Sequence, residues 1–256
     1  MKSSILQEMI KKIKKVRKKI ITIDDLHLLT KWFFSTENYN QKLYKLIYYL
    51  KQRGHLISIK KDIFIIKKPE DSREPAYFID EYYRHILYQQ CNKLISGKWY
   101  IWWEIALAIH LHQYTIPDEI TIVNNDKQWY EMILSGKQIK RKVYTAKKRN
   151  LTHKFFKYTD TVNISGIKLN IANINLALLE SLYNNNLQDP ITIEMVKKVL
   201  KKHKDFPLES FEEILKLWKH HSSIKQLYIL SKQYNKKFSD QLAIIIKKWS
   251  FFVSWE

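Results

Sequence analysis

Apolar residues in the stretch 38–53 repeat with the period of an α-helix. They fall at the i, i+3, i+4 and i+7 spacing that places side chains on one helix face, and they are Leu43, Leu46, Ile47 and Leu50. The opposite face carries lysine, tyrosine and glutamine with almost no acid. Residues that favour helix starts precede it, namely Ser35, Thr36 and Asn38, and Gly54 follows it where a left-handed residue often ends a helix. We therefore predict a helix with one buried face and one basic, aromatic face.

After Gly54 the pattern changes to that of β-strands. The runs 56–59 and 63–66 are rich in isoleucine, and Lys60, Lys61 and Asp62 lie between them as a tight turn. A helix that leads directly into a hairpin with a basic tip is typical of a winged helix-turn-helix, whose helix enters the major groove of DNA while the wing reaches the backbone. The alternative is a solvated basic helix beside an ordinary hairpin.

If this stretch binds DNA, the contacts come from the outer face of the helix, the helix start and the wing tip, and flanking basic residues assist. In that order the candidates are Lys42, Lys45, Tyr49 and Gln52, then Tyr39 and Asn40, then Lys60 and Lys61, and finally Arg17 and Lys31.

The rest of the chain predicts an α+β fold, with an N-terminal winged helix-turn-helix followed by a mixed α/β domain and a helical C-terminal portion. Helices are expected at 5–19 and from Asp24 and Asp25 onwards. Later elements are expected as a helix at 79–94, a strand at 98–101, a buried helix at 103–112, a strand at 120–123, a hairpin at 162–171 and an amphipathic helix at 174–183. From about residue 187 the pattern is helical, with helices near 191–203, 208–219, 222–234 and 238–249. Ser210 and Glu213 have the spacing of a capping box.

The sign of the charge changes along the chain and supports two domains. The net charge is +20, and residues 1–68 hold 17 Lys and Arg against 5 Asp and Glu. Residues 69–136 hold 5 basic residues against 10 acidic ones. The proline-bounded stretch 69–75 is the predicted linker, which gives a DNA-binding domain at 1–72 and a second domain at 76–256. A local basic excess of this size favours phosphate as a partner.

A second basic stretch spans residues 137–157 and holds nine Lys and Arg, no acid, and several aromatic residues. Such a mixture can bind a nucleic-acid backbone and stack on bases. The candidate residues of this second basic patch are Lys140, Arg141, Lys142, Lys147, Lys148 and Arg149. A solvated surface of strand and loop accounts for the same pattern equally well.

Composition argues against several other classes of protein. The only cysteine is Cys91, so neither a disulfide framework nor a multi-cysteine zinc site is expected. The N-terminus lacks the pattern of a signal peptide, and no run approaches the roughly 18 apolar residues of a membrane span. A cytoplasmic protein without membrane contact is therefore expected. With only four glycines, phosphate-binding loops are not expected, and we predict no cofactor.

No catalytic residue and no metal site are predicted. The pairs His110/His112 and His220/His221 lack the i, i+4 spacing of a helical zinc site, and His110 is expected to pack in a core. The rival function is a metal-dependent nuclease that uses Asp118, Glu119 or Glu104, although a hydrogen-bonded core carboxylate is the simpler account of Glu104. A winged-helix replication initiator is a third possibility.

The order of these segments resembles a known family. The hairpin sequence GHLISIKKDIF (Gly54–Phe64) is followed by an aromatic strand that leads into a helix, WYIWWEIAL (Trp99–Leu107), by a proline-led strand at Pro117–Val123, and by the hairpin GIKLNIA (Gly166–Ala172) before the helix Leu176–Leu182. Over roughly residues 20–235 this order resembles the AbiEi abortive-infection antitoxins, the regulators of type IV toxin–antitoxin systems. Asp62 stands where the wing turn of that family usually has glycine.

The resemblance implies DNA-binding at promoter or operator repeats of the protein's own operon. It also implies that the protein counteracts a nucleotidyltransferase-type toxin, AbiEii, without a tight direct complex. We expect a monomer or a weak dimer.

Overall fold

The computed structural model describes residues 3–34, 37–60, 62–95, 98–124, 132–134, 137–142, 154–183, 189–217 and 221–248. Within these residues the protein has the predicted α+β fold. Contacts between residues divide the chain into two units. Unit 1 comprises Met1–Gln89 with Ile133–Gly136, and unit 2 comprises the rest. The main division thus follows Gln89, inside a helix, whereas the sequence indicated the stretch 69–75.

Unit 1 combines helices with a three-stranded antiparallel sheet in the order β1-β3-β2. Its elements are α1 (Ser3–Lys15), β1 (Ile20–Thr22), α2 (Ile23–Thr30), α3 (Tyr39–Gln52), β2 (Leu56–Lys60), β3 (Ile63–Ile66) and α4 (Pro75–Leu94), which continues into unit 2. The helix predicted at 38–53 and the hairpin predicted after it are both confirmed.

Backbone conformation at three positions shapes this part of the chain. Gly54 has φ +70° directly after α3, as predicted, and Asp62 has φ 70° in the hairpin turn. Aspartate is one of the few residues besides glycine that tolerates this conformation, which explains how it occupies the turn. Asn38 has φ 56° and makes no side-chain cap hydrogen bond. The predicted capping by Asn38 is wrong because a capping side chain reaches the helix N–H groups from an extended backbone. Ser35 and Thr36 lie outside the described residues.

The core of unit 1 forms where the inner sides of α1, α2 and α3 meet the sheet. Its buried side chains are Leu6, Met9, Ile13, Ile21, Leu26, Leu43, Leu46, Ile47, Leu50, Leu56 and Phe64. All four residues of the predicted apolar stripe of α3 belong to this core. Because that stripe faces inward, the polar side of α3 faces away from the core.

A mixed sheet has the strand order β6-β7-β5-β4-β9-β8, and all of its strands except part of β6 belong to unit 2. The pairs β4–β5 and β8–β9 are antiparallel, and the pairs β4–β9 and β5–β7 are parallel. The strands and helices in chain order are β4 (Trp99–Ile101), α5 (Trp103–His110), β5 (Glu119–Asn124), β6 (Met132–Leu134), β7 (Lys137–Lys142), β8 (Thr159–Ile164), β9 (Ile167–Ala172), α6 (Ile174–Ser181), α7 (Pro190–Lys202), α8 (Leu208–Leu217), α9 (His221–Tyr234) and α10 (Lys236–Lys248).

Helix α6 is buried on every side. All its residues from Asn175 to Ser181 are buried, including the carboxylate of Glu180. The prediction of an amphipathic helix at 174–183 is wrong here, because α5, α7, α8, α9 and β9 all pack against α6 and leave no side for solvent.

The helical C-terminal portion begins and ends close to the predicted positions, but its predicted capping box is absent. Helix α8 already begins at Leu208, so Ser210 lies inside the helix and not before it. Glu213 bonds instead to the side chains of Lys157 and Tyr158. Asp189 provides a different cap, since its carboxylate accepts from the backbone N–H groups of Ile191 and Thr192 at the start of α7.

Candidate nucleic-acid interface

The outer face of α3 is open to solvent. Lys42, Lys45 and Gln52 are exposed, and Asn40 is exposed at the helix start. The Lys42 Nζ donates to the backbone oxygen of Glu37 at 3.1 Å, which holds this cation near the start of the helix. Four of the predicted contact residues therefore lie on one accessible helix.

The tyrosines of α3 differ in exposure. Tyr48 and Tyr44 are 56% and 51% exposed, while Tyr49 is half-buried and packs against the core. The rings of Tyr48 and Tyr49 meet edge to face, with centroids 5.7 Å apart. Neither Tyr44 nor Tyr48 was among the residues predicted to contact DNA. Counting 100° per residue from the apolar stripe would have put Tyr48 on the outer face.

Tyr39 joins α3 to α2. Its hydroxyl donates to the backbone oxygen of His27 at 3.1 Å and shares a short hydrogen bond with the hydroxyl of Thr30. Its ring centroid lies 4.5 Å from that of His27. Because its hydroxyl already has protein partners, Tyr39 positions the start of α3. This geometry favours that role over the predicted direct contact with DNA.

The hairpin follows α3 directly in the chain. Strands β2 and β3 pair from Leu56 opposite Ile66 to Lys60 opposite Ile63, with an irregularity between Ser58 and Lys60. The side chain of Lys60 and the whole of Lys61 lie outside the described residues, so the basic tip stays a prediction.

The flanking cations belong to other elements. Arg17 follows α1 and lines an open cavity of about 340 Å³ with Lys18 and Leu28. Lys31 follows α2, and its Nζ lies 4.8 Å from the ring centroid of Trp32.

Trp32 is 79% exposed, and it was not among the residues predicted to contact DNA. An exposed tryptophan beside a lysine can contact a sugar or a base.

Helix α2 is fixed at its start by a capping box. The backbone N–H of Asp25 donates to the Thr22 hydroxyl at 3.2 Å, and the Thr22 N–H donates to the Asp25 carboxylate at 2.9 Å. Burial raises the pKa of Asp25, but the hydrogen bonds from Thr22 and the charge of Lys18 outweigh it, so the net pKa lies below 3.8. Asp25 therefore acts as a structural carboxylate at the positive end of the helix dipole.

The second basic patch is only partly described. Lys140, Arg141 and Lys142 belong to β7, which pairs with β5, but their side chains lie outside the described residues. Lys147, Lys148 and Arg149 lie outside them entirely. A nucleic-acid site and a solvated surface therefore both remain predictions for this patch.

The carboxylates considered for catalysis are Glu104 at the start of α5, Asp118 directly before β5, and Glu119 on β5. Glu104 and Glu119 line the same cavity of about 250 Å³ beside Trp103. Burial raises the pKa of Glu104, the charge of Asp189 raises it further, and a hydrogen bond with Trp103 opposes them. In the part of the chain that the structure describes, no cluster of three or more His, Cys, Asp or Glu could hold a metal ion.

Sequence reasoning missed the most buried carboxylate of unit 2. Glu180 accepts from the Tyr100 hydroxyl at 2.8 Å and from the Trp103 backbone N–H at 3.3 Å. The hydrogen bond from the Trp103 N–H holds this residue in a conformation with a positive φ of 26°.

His110 is half-buried, and its Nε2 lies 2.9 Å from the backbone oxygen of Ala172. Glu180 and His110 both support the fold of unit 2.

Comparison with known proteins informs on the fold. The chain is similar to the crystal structure of the RV2827C protein from Mycobacterium tuberculosis, with a TM-score of 0.59 and 12% sequence identity over 93% of this chain and 80% of that chain. Neither a family model nor a curated protein matches the sequence. None of the described helices is long and apolar enough to cross a bilayer. At this identity the shared feature is the α+β fold.

Proposed function

We propose that this protein binds duplex DNA through α3 and the hairpin that follows it, and acts as a transcriptional regulator. The observation that carries the proposal is the division of α3 into a buried apolar stripe and an exposed face with Lys42, Lys45 and Gln52. A helix of this kind followed by an antiparallel hairpin has the order of a winged helix-turn-helix.

The dimensions of α3 support insertion into a groove. Its 14 residues span roughly 20 Å at a rise of 1.5 Å per residue. The major groove is about 12 Å wide and admits an α-helix. The bond between Tyr39 and α2 would keep the helix at a fixed angle as it enters.

Electrostatics supports the same partner. The excess of basic residues in 1–68 lies in the unit that contains α3. The exposed basic side chains of this unit include Arg17, Lys31, Lys42 and Lys45. Cations in this position displace the counterions of DNA on binding, and the affinity then falls as salt rises.

The resemblance to AbiEi antitoxins extends the proposal. It implies that the DNA site lies in repeats upstream of the protein's own operon, that binding represses that operon, and that the protein counteracts a nucleotidyltransferase-type toxin. Linked expression with such a gene, and relief of its toxicity by this protein, would support this extension independently of DNA-binding.

Affinity for a duplex should depend on salt and on Lys45. If Arg17, Lys31, Lys42, Lys45, Lys60 and Lys61 each neutralise a phosphate, log K against log salt has a slope of about −5. Lys45→Gln should reduce this slope by about 1 if the cation meets a phosphate. Fluorescence anisotropy with a labelled duplex between about 50 and about 200 mM salt measures the slope.

Lys198→Gln is the matched control, because it removes the same charge from an exposed lysine of α7 in unit 2. A slope near zero for the unaltered protein would contradict DNA-binding. An equal loss in both variants would show that net charge alone, and not α3, determines affinity.

A metal-dependent nuclease is the second candidate, favoured by the cavity that Glu104 and Glu119 share. It requires Mg²⁺-dependent cleavage of a nucleic acid that is lost in Glu104→Gln or Asp118→Ala. Binding to repeated origin sequences in preference to the protein's own promoter would instead identify a replication initiator.

A further inference from the structure

The exposed face of α3 has side chains whose chemistry suits adenine–thymine pairs. They include Gln41, Tyr44, Lys45, Tyr48, Lys51 and Gln52, beside Asn40 and Lys42, which are exposed at the start of the helix. The face combines amides, aromatic rings and ammonium groups, and α3 contains no arginine. Each base pair presents a distinct edge in the major groove, so this combination limits which edges the helix can contact well.

The amides and rings both select against guanine–cytosine pairs. A glutamine amide bonds at once to N6 and N7 of adenine, whereas guanine O6 and N7 are contacted by arginine or lysine. A tyrosine ring presents apolar surface, and the thymine methyl is the apolar group of the major-groove edges. Lys45 and Lys51 can donate to guanine, to thymine O4 or to a phosphate, so they do not exclude A·T pairs.

The spacing of three of these residues lets one line along α3 span several base pairs. Gln41, Tyr44 and Tyr48 follow one line along α3, at i, i+3 and i+7. The first and last are separated by roughly 10 Å along the helix axis, which corresponds to about three base-pair steps of roughly 3.4 Å. One helix line can therefore meet successive pairs.

The ring of Tyr48 is supported from behind. It meets the ring of Tyr49 edge to face at 5.7 Å between centroids, and Tyr49 packs on the core. A side chain that is already held in place loses less conformational entropy when it binds. Tyr48 thus offers an exposed and preorganised apolar surface.

We infer that the DNA site of this protein has a major-groove core of about four A·T pairs, in which Gln41 contacts an adenine and Tyr44 and Tyr48 contact thymine methyl groups. The inference rests on the proposed function and names the base chemistry that α3 selects. Lys45 and Lys51 then contribute affinity without excluding A·T pairs.

Four duplexes that differ only in the central pairs test it with the full chain. The central pairs are A·T, A·U, I·C or G·C. Uracil lacks only the thymine methyl, and an inosine–cytosine pair has the major-groove edge of G·C with the minor-groove edge of A·T. We expect A·T to bind tightest, A·U to bind about fivefold more weakly, and I·C to bind as weakly as G·C, about tenfold or more below A·T.

Variants of Tyr48 assign the methyl contact. Tyr48→Phe keeps the ring and should keep the preference for A·T over A·U, whereas Tyr48→Ser should reduce it. Tyr48→Phe should retain the melting temperature of the unaltered protein, whereas Tyr48→Ser loses the ring contact with Tyr49 and should melt slightly lower. Melting temperatures are therefore measured first, and affinities are compared well below both of them.

Equal binding to all four duplexes, or binding of I·C as tight as A·T, overturns the inference and leaves DNA-binding intact. Absence of salt-dependent binding to every duplex overturns the proposed function and the inference together.

Discussion

Neighbouring tyrosines in and around α3 serve different purposes because their hydroxyls and rings meet different surroundings. Tyr48 extends into solvent, Tyr49 packs its ring on the core, and Tyr39 is bonded to α2. Only the first arrangement leaves a ring face for a ligand. For this reason the proposed base contact belongs to Tyr48, whereas Tyr39 positions the start of α3.

Tyr39→Phe should lower stability without removing DNA affinity. The change deletes the hydroxyl that bonds to Thr30 and to the His27 backbone oxygen but keeps the ring. Loss of such hydrogen bonds costs on the order of 1 kcal/mol, measurable by urea unfolding. Tyr44→Phe is the control, since it removes the hydroxyl of an exposed tyrosine and should leave the unfolding midpoint unchanged. A large loss of affinity in Tyr39→Phe, measured well below its melting temperature, would instead assign Tyr39 to direct contact.

The exposure of Lys42 and Lys45 could be predicted from the sequence because it follows from the period of a single helix. The role of Glu180 could not, because Tyr100 lies 80 residues away and its hydroxyl reaches Glu180 only through the fold. Trp32 was missed for the related reason that its exposure depends on how the chain turns after α2. Local periodicity identifies which side of a helix is buried, and it carries no information on partners distant in sequence.

At the scale of elements, periodicity located most helices and strands within a few residues but misjudged their environment. Helix α6 was expected to have a solvated face, yet it is enclosed by four helices and a strand. Serine and asparagine caps were expected at α8 and α3 and are absent, while Thr22 and Asp189 cap α2 and α7. Capping depends on the backbone conformation of one residue, which neighbouring residue types specify only weakly.

The capping box of α2 should contribute to stability at neutral pH and lose that contribution in acid. The pKa of Asp25 is lowered from 3.8 in the fold, so the folded state favours the charged carboxylate. This contribution is present above the unfolded pKa and disappears as pH falls through the folded pKa. Asp25→Asn should therefore be destabilised relative to the unaltered protein at pH 7, and the difference should shrink below pH 3.8.

Thr22→Ala tests the other half of the capping box and should cost about 1 kcal/mol. Urea unfolding at neutral and acid pH measures both variants. A difference for Asp25→Asn that stays constant down to the acid limit would show that the carboxylate is not the group whose charge matters. Asp24→Asn is the control, because Asp24 is exposed in the same first turn.

For the whole molecule, the main electrostatic fact is a net charge of +20 with an uneven distribution. Like charges that repel each other destabilise a compact state. Ion pairs such as Lys157–Glu213 and Lys248–Glu212 oppose this, but exposed pairs contribute little, about 0–1 kcal/mol each. The balance predicts that screening salt stabilises the free protein, although the same salt weakens DNA-binding.

Salt should therefore shift the melting temperature in opposite directions for free and DNA-bound protein. Between about 0.1 M and about 1 M NaCl the screening length falls from roughly 10 Å to roughly 3 Å, so repulsion within the free protein weakens and its melting temperature rises. A duplex raises the melting temperature at low salt in proportion to its affinity, and this increment vanishes at high salt because counterion release no longer favours the complex. Differential scanning fluorimetry with and without duplex measures both effects. A lower melting temperature of the free protein at high salt would show that its ion pairs outweigh the repulsion. If the duplex still raises the melting temperature at high salt, DNA is not held mainly through its phosphates.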